Sequence, residues 1–432
     1  MYDLLKEFHS KYPDEKMFEN TTREFVDSIH EYLDEETLNM VLHSERIITF
    51  RVPWVDDKGK TQVNYGYRVQ HSSALGPYKG GIRFDASVTL DVMKFLAFEQ
   101  TFKNALTGLP LGGAKGGADF NPVGKSDREI MSFCQNFMSE LYRHIGATVD
   151  VPAGDIGVGH REIGYMYGQY KKLSMSYEGV FTGKPIVLGG AKGRSEATGY
   201  GVVYITQELL HDLGDTLEGK SVIVTGSGKV GAYAAKKAHD LGAKVVAMND
   251  ISGTIVDENG LDVDAILVEK MDNMGLLENY AKESGLEIHD PSHIWNVKCD
   301  IAIPCATQNE LSGENLQKLI NNGTKYLVEG ANKPLDHDAV VLVQDSDLYY
   351  IPGKAANAGG VATSGIEMMQ NAQMDVYSFE AVDARLHEIM KGIYKLIKDT
   401  AASVDKPYNF VVGANLAGYK RVKEAIKFQG AV

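Results

Sequence analysis

Apolar positions in the first 45 residues include Phe8, Phe25, Ile29, Leu33, Leu38 and Leu42, spaced for one amphipathic face, so the chain is predicted to open on helices. The period then changes. Residues 46–55 and 63–70 alternate as two strands about a turn at Asp56-Asp57-Lys58-Gly59. Residues 90–106 and 127–144 return to helical spacing, and the first stretch carries Gln100 and Lys103 on one face. Beyond about residue 190 the character shifts again. Short, largely apolar runs at 221–225, 244–248, 300–304, 326–329 and 348–351 read as strands, and 232–241 as a helix between two of them. That alternation predicts a doubly wound parallel sheet. Glycine-rich stretches at 76–81, 109–117 and 357–361 are expected to be loops carried on this rigid frame.

A chain of 432 residues suggests two or three domains with ample core. Its formal net charge of −14 disfavours nucleic acid and anionic membrane as partners, so any cationic pocket has to be built locally. The first residues lack the apolar core of a signal peptide, and no run of about eighteen apolar residues is present, so a cytoplasmic location is expected. Cys134, Cys299 and Cys305 form no paired framework and no zinc-like cluster, which fits a reducing compartment and predicts no metal.

Against that acidic background three lysines stand out. Lys115 lies in LPLGGAKGG (109–117), Lys79 in GPYKGG (76–81) and Lys103 on the helix between them. Glycine on both sides lets backbone and substrate approach an ammonium closely, and desolvation there lowers its pKa towards neutrality. Asp155, in VPAGDIGVG (151–159), is a carboxylate in a similar setting, and a lysine–aspartate pair suits proton transfer. The three lysines point to an anionic substrate. A strand at 221–225, the glycines Gly226, Gly228 and Gly231, a helix, a second strand and Asp250 together make a dinucleotide fingerprint. Its turn offers helix N–H groups to a pyrophosphate, with Ser227, Lys229 and Val230 between the glycines. The economical reaction is hydride transfer at a carbon bearing an amine or hydroxyl.

These residues resemble the hexameric glutamate dehydrogenases, within the glutamate/leucine/phenylalanine/valine dehydrogenase family. The resemblance covers nearly the whole chain, through GPYKGGIRF (76–84), LPLGGAKGG (109–117), SDREIMSFCQNFMSELYRHIG (126–146), VPAGDIGVGHREIG (151–164), EATGYG (196–201), PCATQNEL (304–311) and NAGGVATSGIEM (357–368). It implies a two-domain α/β fold with an active-site cleft between the domains. A substrate and assembly domain would span 1–189, completed by a C-terminal helix at 408–432, and a Rossmann-type dinucleotide domain would span 190–407. It also implies roles. Lys79 and Ser364 would meet the substrate γ-carboxylate, and Gln100 and Lys103 the α-carboxylate. Lys115 would activate a water and stabilise charge at the substrate carbon, and Asp155 would carry the amino-group proton. Arg194, Thr198 and Asn357 would line the cleft. The implied assembly is a homohexamer acting on L-glutamate, 2-oxoglutarate and ammonium. Two features depart from the family pattern. Ala191-Lys192-Gly193-Arg194-Ser195-Glu196 replaces a serine-leucine-x-arginine-proline-glutamate segment, and the amino-terminal arm is short.

On the cofactor the signals divide. Asp250 at the end of the second strand conventionally favours NAD through the ribose hydroxyls. The local sequence at 249–254 resembles NADP-type bacterial members, in which Ser227 and Lys270 match contacts of the 2′-phosphate and Lys229 adds a cation. Ile251 and Val123 stand where some NADP-type members carry serine and lysine. NADP is the expectation, with NAD or dual use as the alternative. A branched-chain or aromatic amino-acid dehydrogenase would need an apolar pocket where Lys79 sits. A non-catalytic nucleotide-binding protein on the same fold would have no use for Lys115 and Asp155 together.

Overall fold

The computed structural model describes residues 1–430. The chain forms two compact units: Met1–Arg194 with Val361–Val382 and Asn415–Val432, and Ser195–Gly360 with Asp383–Ala414. Among the described residues no helix is long and apolar enough to cross a membrane.

The first unit opens on helices Tyr2–Ser10, Lys16–Ile29 and Glu35–Leu42, matching the early amphipathic spacing. Its sheet holds β1 (Arg46–Val55), β2 (Thr61–Ser72), β3 (Tyr78–Phe84), β4 (Gly113–Ala118) and β5 (Asp150–Gly154) in the order β1-β2-β4-β3-β5. β1 and β2 pair antiparallel about the turn foreseen at Asp56–Gly59, whereas β4, β3 and β5 run parallel. Helix Leu90–Leu106 starts where the Thr89 side chain accepts the Val92 N–H, and Asp127–Leu141 starts on a Ser126–Glu129 capping box. The core gathers Ile82 and Phe84 of β3 with Phe120, Phe133 and Phe137, and Phe120 stacks on Phe133 at 3.8 Å.

The glycine-rich stretches around Lys79 and Lys115 are strands, not the loops expected from their composition. A Cβ on Gly80 would lie 1.6 Å from the Ala114 carbonyl oxygen, and one on Gly113 would lie 1.9 Å from Thr101 Oγ1. Glycine serves here to bring two strands and a helix closer than any side chain allows. The segment before Asp155 is likewise strand β5, and the 357–361 loop is cut short by a helix beginning at Gly359.

The second unit carries β6 (Ser221–Thr225), β7 (Lys244–Asp250), β8 (Gly253–Val256), β9 (Ile288–His289), β10 (Ile301–Pro304), β11 (Tyr326–Val328) and β12 (Tyr349–Ile351), ordered β12-β11-β10-β6-β7-β8-β9. The five strands from β12 to β7 are parallel, as expected of a doubly wound sheet. The antiparallel edge of β8 and β9 was not foreseen, because strands of four and two residues are too short to show a period. Strand order reverses beside β6, which puts a ligand crevice at its carboxyl end.

Three boundaries differ from those expected. The first segment of the first unit runs to Arg194 rather than 189. Val361–Val382, inside the 190–407 span, packs with the first unit. The physical tie is Lys184 Nζ, which donates to Glu367 Oε1 at 2.6 Å and Asn371 Oδ1 at 2.7 Å. The C-terminal helix runs Phe410–Gln429 rather than over 408–432, and the last two residues of that span lie outside the described ones.

Candidate active site

Parallel registration assembles the first unit's chemistry. Ile82 of β3 pairs with Gly116 of β4 on one side and with Gly154 of β5 on the other. Lys115, one residue before Gly116, is level with Gly81, and Asp155, one residue after Gly154, is level with Arg83; the side chains of Lys115 and Asp155 meet beside Gly81 at 3.2 Å. Arg83 donates from Nε to the same Asp155 Oδ2 at 2.7 Å. Burial alone would push the Asp155 pKa up; Lys115 and Arg83 outweigh it and hold the carboxyl below its usual value. Burial lowers the Lys115 pKa, helped by the cations of Arg83 and Arg68, while Asp155 opposes the shift.

Lys79, 1% exposed, sits two residues before Gly81 on β3. Burial drives its pKa well below the ordinary lysine value, with Arg194 and Arg68 adding repulsion and Glu367 and Asp150 opposing it. Lys103 is pushed down to about 8 by burial and by Lys115. Arg194 acts electrostatically on both lysines, and among the described residues its buried Nε has no hydrogen-bond partner. Helix Leu90–Leu106 supplies Gln100, Lys103 and Asn104; the Asn104 amide donates to the Lys79 carbonyl at 3.0 Å and receives a bond from Gln100 at 2.6 Å. Ser364 is buried on helix Gly359–Gln373, one turn before Glu367. Glu367 Oε2 accepts the Gly183 N–H at 2.9 Å, so the buried Lys184–Glu367 pair fixes this helix to the 183–184 backbone.

In the second unit each fingerprint glycine has its own reason. Gly226 has φ +70°, and a Cβ there would lie 2.5 Å from Ala306 Cα. A Cβ on Gly231 would lie 1.8 Å from the Gly226 oxygen. Gly228 faces open space at the start of helix Lys229–Asp240, where an anion can approach the free N–H groups. Lys229 is exposed, Val230 and Thr198 are half-buried, and Thr198 lies in the first turn of helix Ala197–Asp212.

Asp250 is fully engaged. Its oxygens accept from the Ser252 amide (2.8 Å) and hydroxyl (2.5 Å), Lys270 Nζ (2.6 Å), the Leu277 amide (3.0 Å) and the Ser227 hydroxyl (3.3 Å). A carboxylate offers about four lone-pair directions, so none is left for a ribose hydroxyl, and Lys270 neutralises its charge. Ser227 and Lys270, expected at a 2′-phosphate, are thus joined to one another through Asp250. Asn357 is 4% exposed, with Nδ2 donating to Asn332 Oδ1 at 2.9 Å and to the Gly330 and Ala331 carbonyls at 3.2 Å.

The structure therefore brings Lys79, Gln100, Lys103, Lys115, Asp155, Arg194 and Ser364 into one unit, and Thr198, the 226–231 turn, Asp250, Lys270 and Asn357 into the other. Sequence reasoning missed Arg83, Asn104 and the Lys184–Glu367 pair. Arg83 was findable, because Lys79, Gly81 and Arg83 share a face at the period of a strand. Asn104 lies four residues from Gln100 on the same helix. The partnership of Lys184 and Glu367, 183 residues apart, leaves no local signal.

Known proteins resemble this chain over nearly its whole length. Residues 189–430 match the family model described as Glutamate/Leucine/Phenylalanine/Valine dehydrogenase, and residues 44–172 match its dimerisation domain. The chain is 49% identical to an NADP-specific glutamate dehydrogenase of Helicobacter pylori, over 99% of each chain. It is 48% identical to the NADP-specific enzyme of Escherichia coli, over 99% of this chain and 98% of that one. A crystal structure of Plasmodium falciparum glutamate dehydrogenase superposes with a TM-score of 0.96 at 43% identity, covering 100% of this chain and 95% of that one.

Proposed function

We propose that this chain, which belongs to the glutamate/leucine/phenylalanine/valine dehydrogenase family, catalyses the reversible oxidative deamination of L-glutamate to 2-oxoglutarate and ammonia with NADP. The observation that carries the substrate assignment is the gathering of Lys79, Lys103, Lys115 and Arg194 in one buried site of an acidic protein. Cations that depress one another's pKa values need anions, and a dicarboxylate supplies two. An apolar amino-acid side chain would leave the Lys79 ammonium buried against hydrocarbon.

In this reading Lys79 and Ser364 hold the γ-carboxylate, and Gln100 and Lys103 hold the α-carboxylate. The ionised Asp155 takes a proton from the α-ammonium; NADP, which the 226–231 turn would hold, would supply the hydride acceptor for the substrate α-carbon. Lys115, its pKa lowered by burial, removes a proton from the water that adds to the resulting iminium carbon. Asp155 then returns its proton to the departing amine and, ionised again, takes up the hydroxyl proton as the carbonyl forms and ammonia leaves; the protons on Lys115 and Asp155 pass to solvent to reset the site. Arg83 keeps Asp155 ionised for the first of these steps.

Support for NADP comes from Asp250. An aspartate that met the ribose hydroxyls of NAD would keep open acceptor sites, whereas this one is filled and neutralised. A 2′-phosphate then meets no bare negative charge, and Lys229 stands exposed at the adjacent helix start.

The assembly is assigned as a homohexamer. β1 is an edge strand of ten residues, and Ile47, Val55, Val63 and Tyr65 on the β1–β2 hairpin are exposed, which suits covering by another copy. A cytoplasmic setting fits three buried free cysteines.

The test is an initial-rate assay with 2-oxoglutarate, ammonium and either NADPH or NADH. NADPH should be preferred at least about tenfold in kcat/KM, the scale of one charge-assisted contact. A clear NADH preference would overturn the cofactor assignment, and faster turnover of a branched 2-oxo acid would overturn the substrate.

A further inference from the structure

Behind Asn357 stands a buried carboxylic acid that the chemistry above does not use. Glu329 follows β11 and is 4% exposed. Its Oε1 accepts from the Tyr350 hydroxyl at 2.6 Å, and its Oε2 accepts from the Gly353 N–H at 2.6 Å. Gly353 opens the helical turn Gly353–Ala356, which ends on Asn357. The three residues after Glu329 supply the acceptors that hold the Asn357 amide. One side chain therefore ties together both stretches of backbone that fix Asn357. The fit is close, since a Cβ on Gly353 would lie 2.7 Å from the Ala331 oxygen and 3.1 Å from Glu329 Oε2.

Place in the sheet identifies what Asn357 faces. Asp250 ends β7 on one side of β6, whereas Glu329 and Asn357 lie beyond the carboxyl ends of β11 and β12 on the other. A dinucleotide spans such a sheet with one mononucleotide half on each side of the switch point. With the adenosine half at Asp250, the half at Asn357 is the nicotinamide one.

We propose that Glu329 is a positioning residue for the nicotinamide half of the dinucleotide: ionised, it locks the Gly353–Asn357 turn in the form that binds, and protonated, it releases that turn. The proposal rests on the dinucleotide reading given above. Burial pushes the Glu329 pKa up to about 7, against the Tyr350 hydroxyl, the Gly353 N–H and the cations of Lys333 and Lys354, all of which favour the charged form. Both oxygens face donors. Protonation removes the charge that strengthens both bonds, so the hold on Tyr350 and Gly353 weakens.

The test is equilibrium binding of NADPH and of 2′,5′-ADP, which lacks the nicotinamide half, between about pH 5.5 and about pH 8.5. Ionisation of the 2′-phosphate affects both ligands alike, and the 5′-phosphate ionisation peculiar to 2′,5′-ADP is common to the unmodified protein and Glu329→Gln, so the difference between their Kd ratios isolates the nicotinamide half. With one ionisation near neutrality gating that half, the Kd ratio of NADPH to 2′,5′-ADP should rise about tenfold from about pH 8 to about pH 6. Glu329→Gln should flatten this dependence. Tyr350→Phe, which removes a donor to the carboxylate, should move the midpoint to higher pH and provides a second, milder variant. A ratio independent of pH in the unmodified protein, or an unaltered pH dependence in Glu329→Gln, would overturn the proposal. If neither ligand binds at any pH, the dinucleotide reading falls, and this proposal with it.

Discussion

Gly81→Ala adds one methyl group at the point where three strands bring the chemistry together. The new Cβ would lie 2.9 Å from Asp155 Cβ, 2.9 Å from the Gly154 carbonyl oxygen and 3.4 Å from Lys115 Nζ. Carbon–carbon contacts settle at about 3.5–4.0 Å, so Asp155 has to retreat by roughly 0.6–1.1 Å. The backbone oxygen of β5 cannot move aside alone, so the shift is shared by strand and side chain. Overpacking of this size costs about 1–3 kcal/mol, which leaves a domain of ordinary stability folded. The catalytic penalty is larger in relative terms. Lengthening the 3.2 Å Lys115–Asp155 contact by such a distance takes it beyond hydrogen-bonding range. A misplacement near 1 Å costs about 100-fold in rate, or roughly 2.7 kcal/mol in barrier. Steady-state kcat with 2-oxoglutarate and ammonium should fall by about that factor, while NADPH binding, measured by fluorescence, should change by less than about twofold because only the first unit is disturbed. Gly392→Ala is the matched control. It lies in helix Phe379–Ala402, and apart from its chain neighbours and the backbone of its own helix no atom of the described residues lies within 4 Å of its added Cβ, so it should stabilise by up to about 1 kcal/mol and leave kcat intact. A folded Gly81→Ala protein with kcat within about threefold of the original would refute the assignment of Lys115 and Asp155 as a working pair.

Lys115→Ala and Asp155→Asn should each lower kcat by about 100-fold or more with NADPH affinity retained; wild-type kcat in either variant removes that residue from the mechanism. Lys79→Leu combined with Ser364→Val should depress glutamate turnover and admit norleucine or methionine, so unchanged discrimination between glutamate and norleucine would contradict their assignment to the γ-carboxylate. Lys103, with a pKa of about 8, binds a carboxylate only when protonated. In the free enzyme Lys103 should therefore impose no loss of kcat/KM for 2-oxoglutarate below that value and a fall of up to about tenfold per pH unit above it. Lys103→Arg, which stays charged, should remove this alkaline limb, and an unmoved limb would assign it to another group.

Several features of this protein are fixed by neighbours in the chain. The 221–250 fingerprint is one, since strand, turn and helix succeed one another, although Gly226 also makes room for the distant Ala306. Helix Leu90–Leu106 is another, with its Gln100–Lys103 face readable from spacing alone. Lysines flanked by glycine announced a site for an anion, and the family resemblance gave them roles. Composition misled where it was read as conformation. Around Lys79 and Lys115 the glycines make tightly packed strands, and nothing local distinguishes a glycine that turns the chain from one that admits a neighbouring backbone. Only the tertiary structure showed that Arg83 shares Asp155 with Lys115 and that Lys184 holds Glu367. It alone showed that Asp250 is filled by Ser227, Ser252, Lys270 and Leu277. These partnerships join residues up to 183 positions apart. Their energies depend on distance and burial in space, which a linear sequence does not carry.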